Sequence, residues 1–550
     1  MKIKLLFISV FAFIHSSYAQ VTSVNWGDLN DKATAIGKLF INANGEVIKI
    51  SYETKNRFNK VLGMEPITNS NIAFITKYNS KLKEEKSTIF KINESNVGLE
   101  DYFFISNKLY VTYRKYLKQD SIISYYAQAI NTVTLENDGE AILLGSFPVI
   151  YSKAYKQIKS SEVCYRLSPD SSKFLIFAEL PYQSGGDKPK YKMNVFSNTF
   201  NKLWEKDIEI DNAQDLCRLS FSNLGYTSKY EDIFSTGNKG VFVSNLGDVG
   251  LSFVFNKTTK KDVLSSFKNI VFLYKATENK PKEFELNIPE KYAKKAEVFI
   301  NNSNNLMVFG MCADKYKSNL NNYFISITDV ATGNIIFKKI APLPSNLIDD
   351  IAIDRQASVR ESSYGLYNDF KLRDVLIRAN GSVDYLFEFY QDVDHFGNVD
   401  DADARRSLQI TDCLCGDIID INITNTGKAI FTRIPKLQAA IDFSLASGFI
   451  ATTYNNKLLL FYNDDADNLT KDLSRKPDVC SKFGKSSFTM AVIDEKGSLT
   501  RQAVFSNQGM PVTCCTCKCS KGLNNKIVIY AQKIDALSAS ADMVGSIDIK

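Results

Sequence analysis

The chain of 550 residues is poor in the side chains that most enzymes rely on. It has two histidines, His15 and His395, and two tryptophans, Trp26 and Trp204. His15 falls in an N-terminal stretch that reads as a leader, which leaves His395 as the one imidazole of the remaining chain. That residue sits among aspartates with no nucleophile motif beside it, so serine–histidine–aspartate and cysteine–histidine chemistry have no recognisable constellation. A phosphate-binding glycine loop and a dinucleotide fingerprint are both missing. No run of about eighteen apolar residues follows the leader, so no membrane-spanning segment is expected. Long basic tracts are absent too, which argues against nucleic acid as a partner. Neither the 12 prolines nor the 27 glycines gather into a linker, and one continuous architecture is expected.

What the chain does have is apolar and aromatic content, 44% and 12% of residues, enough for packed cores rather than disorder. Lys2 and Lys4, the apolar run Leu5 to Ile14 and the small-residue site Ser17-Tyr18-Ala19 read as a cleavable signal over residues 1–19. Gln20 follows the cut where a lipid anchor would need cysteine. The expectation is therefore export to a periplasm, a cell surface or the exterior. Removing Lys2 and Lys4 from the 67 basic residues leaves 65 against 61 acidic, a net +4, and these charges are interspersed. About 530 remaining residues exceed one ordinary core, so several domains or a repeat array must be present.

Short runs of Ile, Val, Phe, Tyr and Leu alternate with Asn, Asp, Gly and Ser along most of the chain, the signature of strands and tight turns. Helical periodicity is scarce, with Lys282 to Lys294 and Leu343 to Asp354 the better candidates. One hairpin recurs: an apolar strand, a polar turn, then a strand alternating apolar and charged positions. It appears at Ile72 to Leu82, Met193 to Trp204, Tyr323 to Ile340, Ile418 to Ile434 and Phe488 to Phe505. A second type of pair precedes it, as in Cys164 to Ser168 with Lys173 to Glu179, joined by Ser168-Pro169-Asp170-Ser171-Ser172. This stretch resembles the Ser-Pro-Asp-Gly-Lys turn between the inner strands of TolB-like and WD-repeat-like propellers. It departs from that turn at Ser171, where glycine is usual, and it occurs once. The resemblance implies architecture and no activity. The expected fold class is all-β: a β-propeller of seven blades, in a range of six to eight, over residues 35–550, preceded by a segment 20–34. Two consecutive β-sandwich domains are the alternative.

In a propeller whose strands run A to D from the channel outward, the B–C and D–A connections leave by one face and the A–B and C–D turns by the other. On this frame the unusual segments of the C-terminal blades share the first face. Cys312 follows a B strand. Asp392, Asp394, Asp400, Asp401 and Asp403, with Cys413 and Cys415, fall in one B–C connection, and Asp464, Asp465, Asp467 and Cys480 in the next. Cys514, Cys515, Cys517 and Cys519 fall in a D–A connection. An even count of ten cysteines in an exported chain suggests disulfides bracing these loops, while Cys164 and Cys217 read as small buried side chains of inner strands. Four thiols between Cys514 and Cys519 are the alternative site, for zinc or copper, although their spacing is tighter than the usual Cys-x-x-Cys pairs.

Asp392 to Asp403 partly resembles a calcium-binding EF-hand loop, with carboxylates at four ligand positions and Gly397 at the turn. Phe396 occupies a ligand position it cannot serve, and a solvated acidic loop is the competing reading. The functional expectation is a non-enzymatic binding or scaffold protein that takes a protein or glycan partner on the loop-bearing face. The enzyme alternative is a propeller glycoside hydrolase, which needs paired carboxylates and no histidine. Trp26 and Trp204 are the tryptophan platforms such an enzyme would have for sugar rings.

Overall fold

A computed structural model describes residues 21–550 except 32–34, 43, 53–71, 95, 153–156, 182–189, 211–215, 220–239, 257–266, 287, 289–290, 302, 316–317, 354–365, 367–369, 398–407, 442–443, 523–524 and 536–537. The described strands form eight antiparallel sheets of four or five strands. The molecule is a β-propeller of eight blades. Blades 1 to 7 follow one another along the chain over residues 35–91, 97–160, 162–209, 216–286, 292–342, 370–434 and 450–506. Blade 8 takes its inner edge from Thr513–Cys514 and Ser520–Lys521, then Lys526–Asp535 and Ser538–Ile549, and its outermost strand from Val21–Trp26.

Burial follows the order of strands within a blade. Central strands are covered on both faces, as in Lys457–Asp464 and Ser487–Ile493 of blade 7, the second of which is buried along its whole length. Outer strands alternate instead: Lys202–Glu209 exposes Lys202, Glu205, Asp207 and Glu209 and turns Trp204 and Ile208 partly inward. Charged outer edges of this kind discourage pairing with another chain. The same alternation explains why Lys282–Leu286, expected to be helical, is a strand. Its Phe284 and Leu286 are buried while Glu283 and Glu285 face out, a period of two rather than 3.6. The other expected helix is present as Ser345–Ile353, between blades 5 and 6. No helix among the described residues is long and apolar enough to cross a membrane.

Between each pair of adjacent blades lies one apolar cluster, and each seam draws on both neighbours. Ile105, Tyr110 and Phe147 of blade 2 meet Phe174 and Phe196 of blade 3. Phe309 of blade 5 meets Tyr385 and Phe387 of blade 6. Eight such seams close the ring, and a ninth small cluster, Ala440, Ala446, Cys480 and Phe483, lies apart from them.

On the A–B and C–D face one turn is used eight times among the described residues. At Asn42 the backbone N–H donates to the Glu46 carbonyl (3.0 Å), Gly45 N–H donates to the Asn42 carbonyl (3.0 Å), and the Asn42 side-chain oxygen accepts from Asn44 and Glu46. The same backbone pair closes turns at Asn79, Ser197, Ser244, Asn301, Arg378, Thr424 and Asp494. The fourth residue is left-handed in each: glycine at 45, 247, 381, 427 and 497, but Leu82, Phe200 and Asn304 in the others. Ser171 is the left-handed residue (φ 57°) of a variant one residue longer. Arg378 opens its turn for a different reason: its guanidinium grips Asp384 with two bonds of 2.8 Å and donates to the Asn456 and Asp494 carbonyls of blade 7.

Two differences from the sequence reading concern closure. Residues 21–26, expected to precede the propeller, are its closing strand, registered from Val21 opposite Ile549 to Trp26 opposite Gly545. Eight blades rather than seven result, because three lack the recurring hairpin. Blade 2 joins its outer strands through residues 131–141, blade 4 through 275–281, and blade 8 has no such turn at all. A buried ion pair holds the closed ring: Lys49 of blade 1 donates to both carboxylate oxygens of Asp542 in blade 8 at 2.8 Å, and Tyr530 O–H donates to the same carboxylate at 3.1 Å.

Candidate functional site

The B and C strands of blade 6 are far longer than those of other blades, Val383–Gly397 and Leu408–Ile423. The outer strand covers the C strand only as far as Ile418. Beyond it, pairing runs from Tyr390 opposite Cys415 to Gly397 opposite Leu408, so a two-stranded arm stands off the B–C face by roughly 25 Å at about 3.3 Å per residue. A third short strand from the following D–A connection, Gln438–Ile441, pairs with the base of the arm at Asp412 to Cys415.

Insertions of three successive blades meet at that base. Ala439 N–H donates to the Cys480 carbonyl (3.1 Å) and Cys480 N–H to the Leu437 carbonyl (2.9 Å), joining the D–A connection of blade 6 to the B–C connection of blade 7. Asn463 then donates to the Ala446 and Cys514 carbonyls (2.8 and 2.9 Å) and to the Thr516 hydroxyl (3.1 Å), bringing in blade 8. The ninth apolar cluster lies at this junction.

A buried polar chain fixes the junction. Glu388, on the B strand, accepts from Arg373 at 2.8 Å and from Lys436 at 2.5 Å. Lys436 also donates to Gln438 (2.8 Å), and Gln438 donates to the Asn463 carbonyl (2.6 Å). Asn507 donates to the Asn463 side-chain oxygen at 2.8 Å. Each of these residues is at most 5% exposed. Buried charges persist only when paired and hydrogen-bonded, and here the pairing runs from the inner strands of blade 6 through its D–A connection to the B strand of blade 7.

The acidic residues singled out in the sequence separate into different settings. Asp392 and Asp394 lie on the extended B strand, opposite Cys413 and Thr411, rather than in a loop. An EF-hand start at Asp392 is therefore replaced by a strand, while Asp400, Asp401 and Asp403 lie outside the described residues. Asp464 ends a B strand and is fully buried. One of its oxygens accepts from Asn468 (2.7 Å) and from Asp465 N–H (2.9 Å), and burial pushes its carboxyl up to about 6. Asp465 caps the short 3-10 turn Ala466–Leu469 by accepting from Asp467 N–H, and Asp467 is exposed. These three serve the turn that carries the chain away from the B strand.

The cysteines divide as well. Cys312 lies inside its B strand, Asn305–Ala313, and Cys413 and Cys415 lie inside the C strand of the arm. Burial pushes the Cys312 and Cys480 thiols up to about 12. Cys514, Cys515, Cys517 and Cys519 are not in a D–A connection. They belong to the innermost strand of blade 8, which is interrupted by the 3-10 turn Thr516–Lys518. The eight cysteines whose side chains are described, Cys164, Cys312, Cys415, Cys480, Cys514, Cys515, Cys517 and Cys519, are all thiols. Among the described residues no three His, Cys, Asp or Glu side chains gather as a metal's donors, so the zinc or copper arrangement of four converging thiols is not formed.

Sequence reasoning missed Glu388, Lys436, Gln438 and Asn463. The bonds that join them, Lys436 to Glu388 and Gln438 to Asn463, span 48 and 25 residues, and no local spacing announces them. It also missed a pair of carboxylates on blade 3, Glu162 and Glu179, which face one another across adjacent strands on the same side of the ring. Burial, and then the nearby Glu162, push Glu179 up to about 7.

No protein family and no curated protein matches the chain. Solved structures that resemble it include propellers, at low similarity. A prolyl endopeptidase aligns with 92% of this chain at 8% identity and a TM-score of 0.38, and the chain spans only 55% of that enzyme's length. The WD40 domain of SCAP from fission yeast aligns with 96% of this chain and 98% of its own, at 7% identity and a TM-score of 0.36. The propeller domain of the Trilobed protease from Pyrococcus furiosus aligns with 73% and 95%, at 9% identity and a TM-score of 0.30. At these values the eight-bladed description rests on this chain's own strand pairing, and no family is assigned.

Proposed function

We propose that this is an exported, non-enzymatic binding or scaffold protein that holds a protein or glycan partner on the platform raised by blades 6 to 8. The observation that carries the reading is the arm of blade 6, which projects from one face and is anchored by insertions of the two following blades. On the opposite face eight described turns are of one short type, and the arm has no counterpart there among the described residues. Export is supported by the leader-like residues 1–19. Removing them leaves the closing strand whole, since it begins at Val21.

The test replaces residues 394–411 by a two-residue Asn-Gly turn, which keeps Val393 opposite Asp412. Expected is a protein that melts within a few degrees of the parent and loses binding to the glycans or proteins that the parent retains on arrays. Unchanged binding would exclude the arm as the contact. Intact mass of the exported protein should lack residues 1–19, and a retained leader would sink the export reading.

One observation favours the glycoside hydrolase alternative, namely the facing carboxylates Glu162 and Glu179, of which Glu179 holds its proton near neutral pH. A retaining mechanism needs two carboxyl groups about 5 Å apart. Polysaccharide cleavage abolished by Glu179→Gln would favour the enzyme, and binding without turnover would favour the scaffold.

A further inference from the structure

Successive side chains of a strand point to opposite faces, and in the innermost strand of blade 8 this rule sorts the clustered cysteines. Cys514 is buried in the seam between blades 7 and 8, with Ile450, Phe461 and Met490. Cys515 is buried in the seam between blades 8 and 1, with Leu39 and Tyr530, and its thiol contacts the Thr513 carbonyl at 3.6 Å. The two neighbours therefore lie on opposite sides of the sheet. The 3-10 turn then folds the chain back, with Lys518 N–H donating to the Cys515 carbonyl (2.9 Å) and Cys519 N–H to the Thr516 carbonyl (3.2 Å). Cys519 returns to the side that Cys514 occupies, packs against the same seam, and places its sulfur 3.8 Å from that of Cys514.

We propose that Cys514 and Cys519 are a disulfide-forming pair that ties the inner strand of the closing blade across its turn. A disulfide bond is about 2.05 Å long, so the two sulfurs need to approach by less than about 2 Å, within reach of side-chain rotation. Cys519 is partly exposed and Cys514 is not, which sets the order of events. The Cys519 thiolate attacks an external disulfide, such as oxidised glutathione, forming a mixed disulfide and releasing one glutathione thiolate. Cys514 then loses its proton and attacks the Cys519 sulfur, breaking the mixed disulfide and releasing the second glutathione. Two protein thiols are oxidised, one external disulfide is reduced, and the two protons end on the released thiols. Burial raises the Cys514 thiol well above its ordinary range, so the second step quickens as pH rises. The oxidant is supplied in the test below, which therefore reads the pairing without reference to the compartment whose redox poise would set it in the cell.

The experiment exposes the folded full chain to oxidised glutathione, alkylates remaining thiols under denaturing conditions, and digests with trypsin without reductant. Trypsin cuts after Arg501, Lys518 and Lys521, separating Cys514 from Cys519. Expected is fragment 502–518 joined to fragment 519–521, with the link at Cys514, an alkyl group on Cys515, and release on reduction. Recovery of 519–521 alone and alkylated, or its attachment to Cys515 or Cys517, would overturn the proposal. The Cys519→Ser variant should return Cys514 as an alkylated thiol. A Cys514 link that persists in that variant would overturn it too.

Discussion

Leu82 and Phe200 hold left-handed backbone positions (φ 60° and 59°) that glycine fills in sister turns, yet both are almost completely buried. A left-handed conformation costs a side-chain-bearing residue roughly 1–2 kcal/mol, whereas removing a buried Phe side chain costs about 3–5 kcal/mol. Packing wins, because Phe200 lies against Tyr110 and Phe174 with ring centroids 4.4 and 4.7 Å apart. Phe200→Gly should therefore lower stability by about 2–3 kcal/mol, read as a lower urea midpoint. Ser171→Gly, at a partly exposed turn position with the same backbone conformation, should raise it by up to about 1 kcal/mol. Asp464 adds a pH dependence. Its folded carboxyl lies at about 6 and an unfolded one at about 3.9, so the folded state favours the proton. Its contribution is fully present below about pH 4 and is lost as pH rises through about 6, by at most about 3 kcal/mol. Asp464→Asn should flatten that decline in unfolding midpoints taken between about pH 4 and 7.5. An unchanged slope would assign the decline to other groups.

The elements that could be read from sequence are those whose contacts are local. The hairpins at Ile72 to Leu82, Met193 to Trp204 and Phe488 to Phe505 are all outer-strand pairs of blades, closed by turns whose partners lie four residues apart. The grouping of the blade 6 and blade 7 insertions on one face was also legible, since it follows from strand order once the hairpins are placed. The inner strand of blade 8 was not, because its cysteine-rich 3-10 turn breaks the alternation and reads as a connection. Nor was the polar chain at the arm's base, where Glu388 and Lys436 come from separate segments. That chain predicts a large effect from a small change. Glu388→Gln removes the carboxylate that the buried cations Arg373 and Lys436 share, leaving Lys436 only neutral side-chain acceptors such as Gln438 among the described residues, and should cost about 3–5 kcal/mol. Proteolysis within residues 435–449 should quicken in the variant, and a loss of stability without faster cleavage there would place the effect elsewhere.

At the scale of the molecule, closure depends on strands from opposite ends of the chain and on one ion pair between first and last blades. Lys49→Met strands the Asp542 carboxylate in a buried site with the neutral donors Tyr530 (3.1 Å) and Asn30 (3.5 Å), a loss of about 3–5 kcal/mol. The double variant Lys49→Met with Asp542→Leu should recover most of it, since two apolar groups leave no uncompensated charge. Thermal unfolding of the three proteins checks this, and equal loss in the single and double variants would deny the pair its role. The blade count was hard to read at this scale because the eighth blade exists as a unit only in space.

The strand that completes blade 8 also orders events in time. Val21–Trp26 is made before, and its partner Ser538–Ile549 after, the strands of blades 1 to 7, so one segment stays unpaired if those blades assemble in chain order. Loop-closure entropy grows only logarithmically, and joining ends roughly 500 residues apart costs about 2 kcal/mol more than joining the ends of one blade. The delay is thus kinetic rather than thermodynamic. Until those two strands pair, seven folded blades make an open arc with two apolar blade faces uncovered, and the ring closes in one step that joins them.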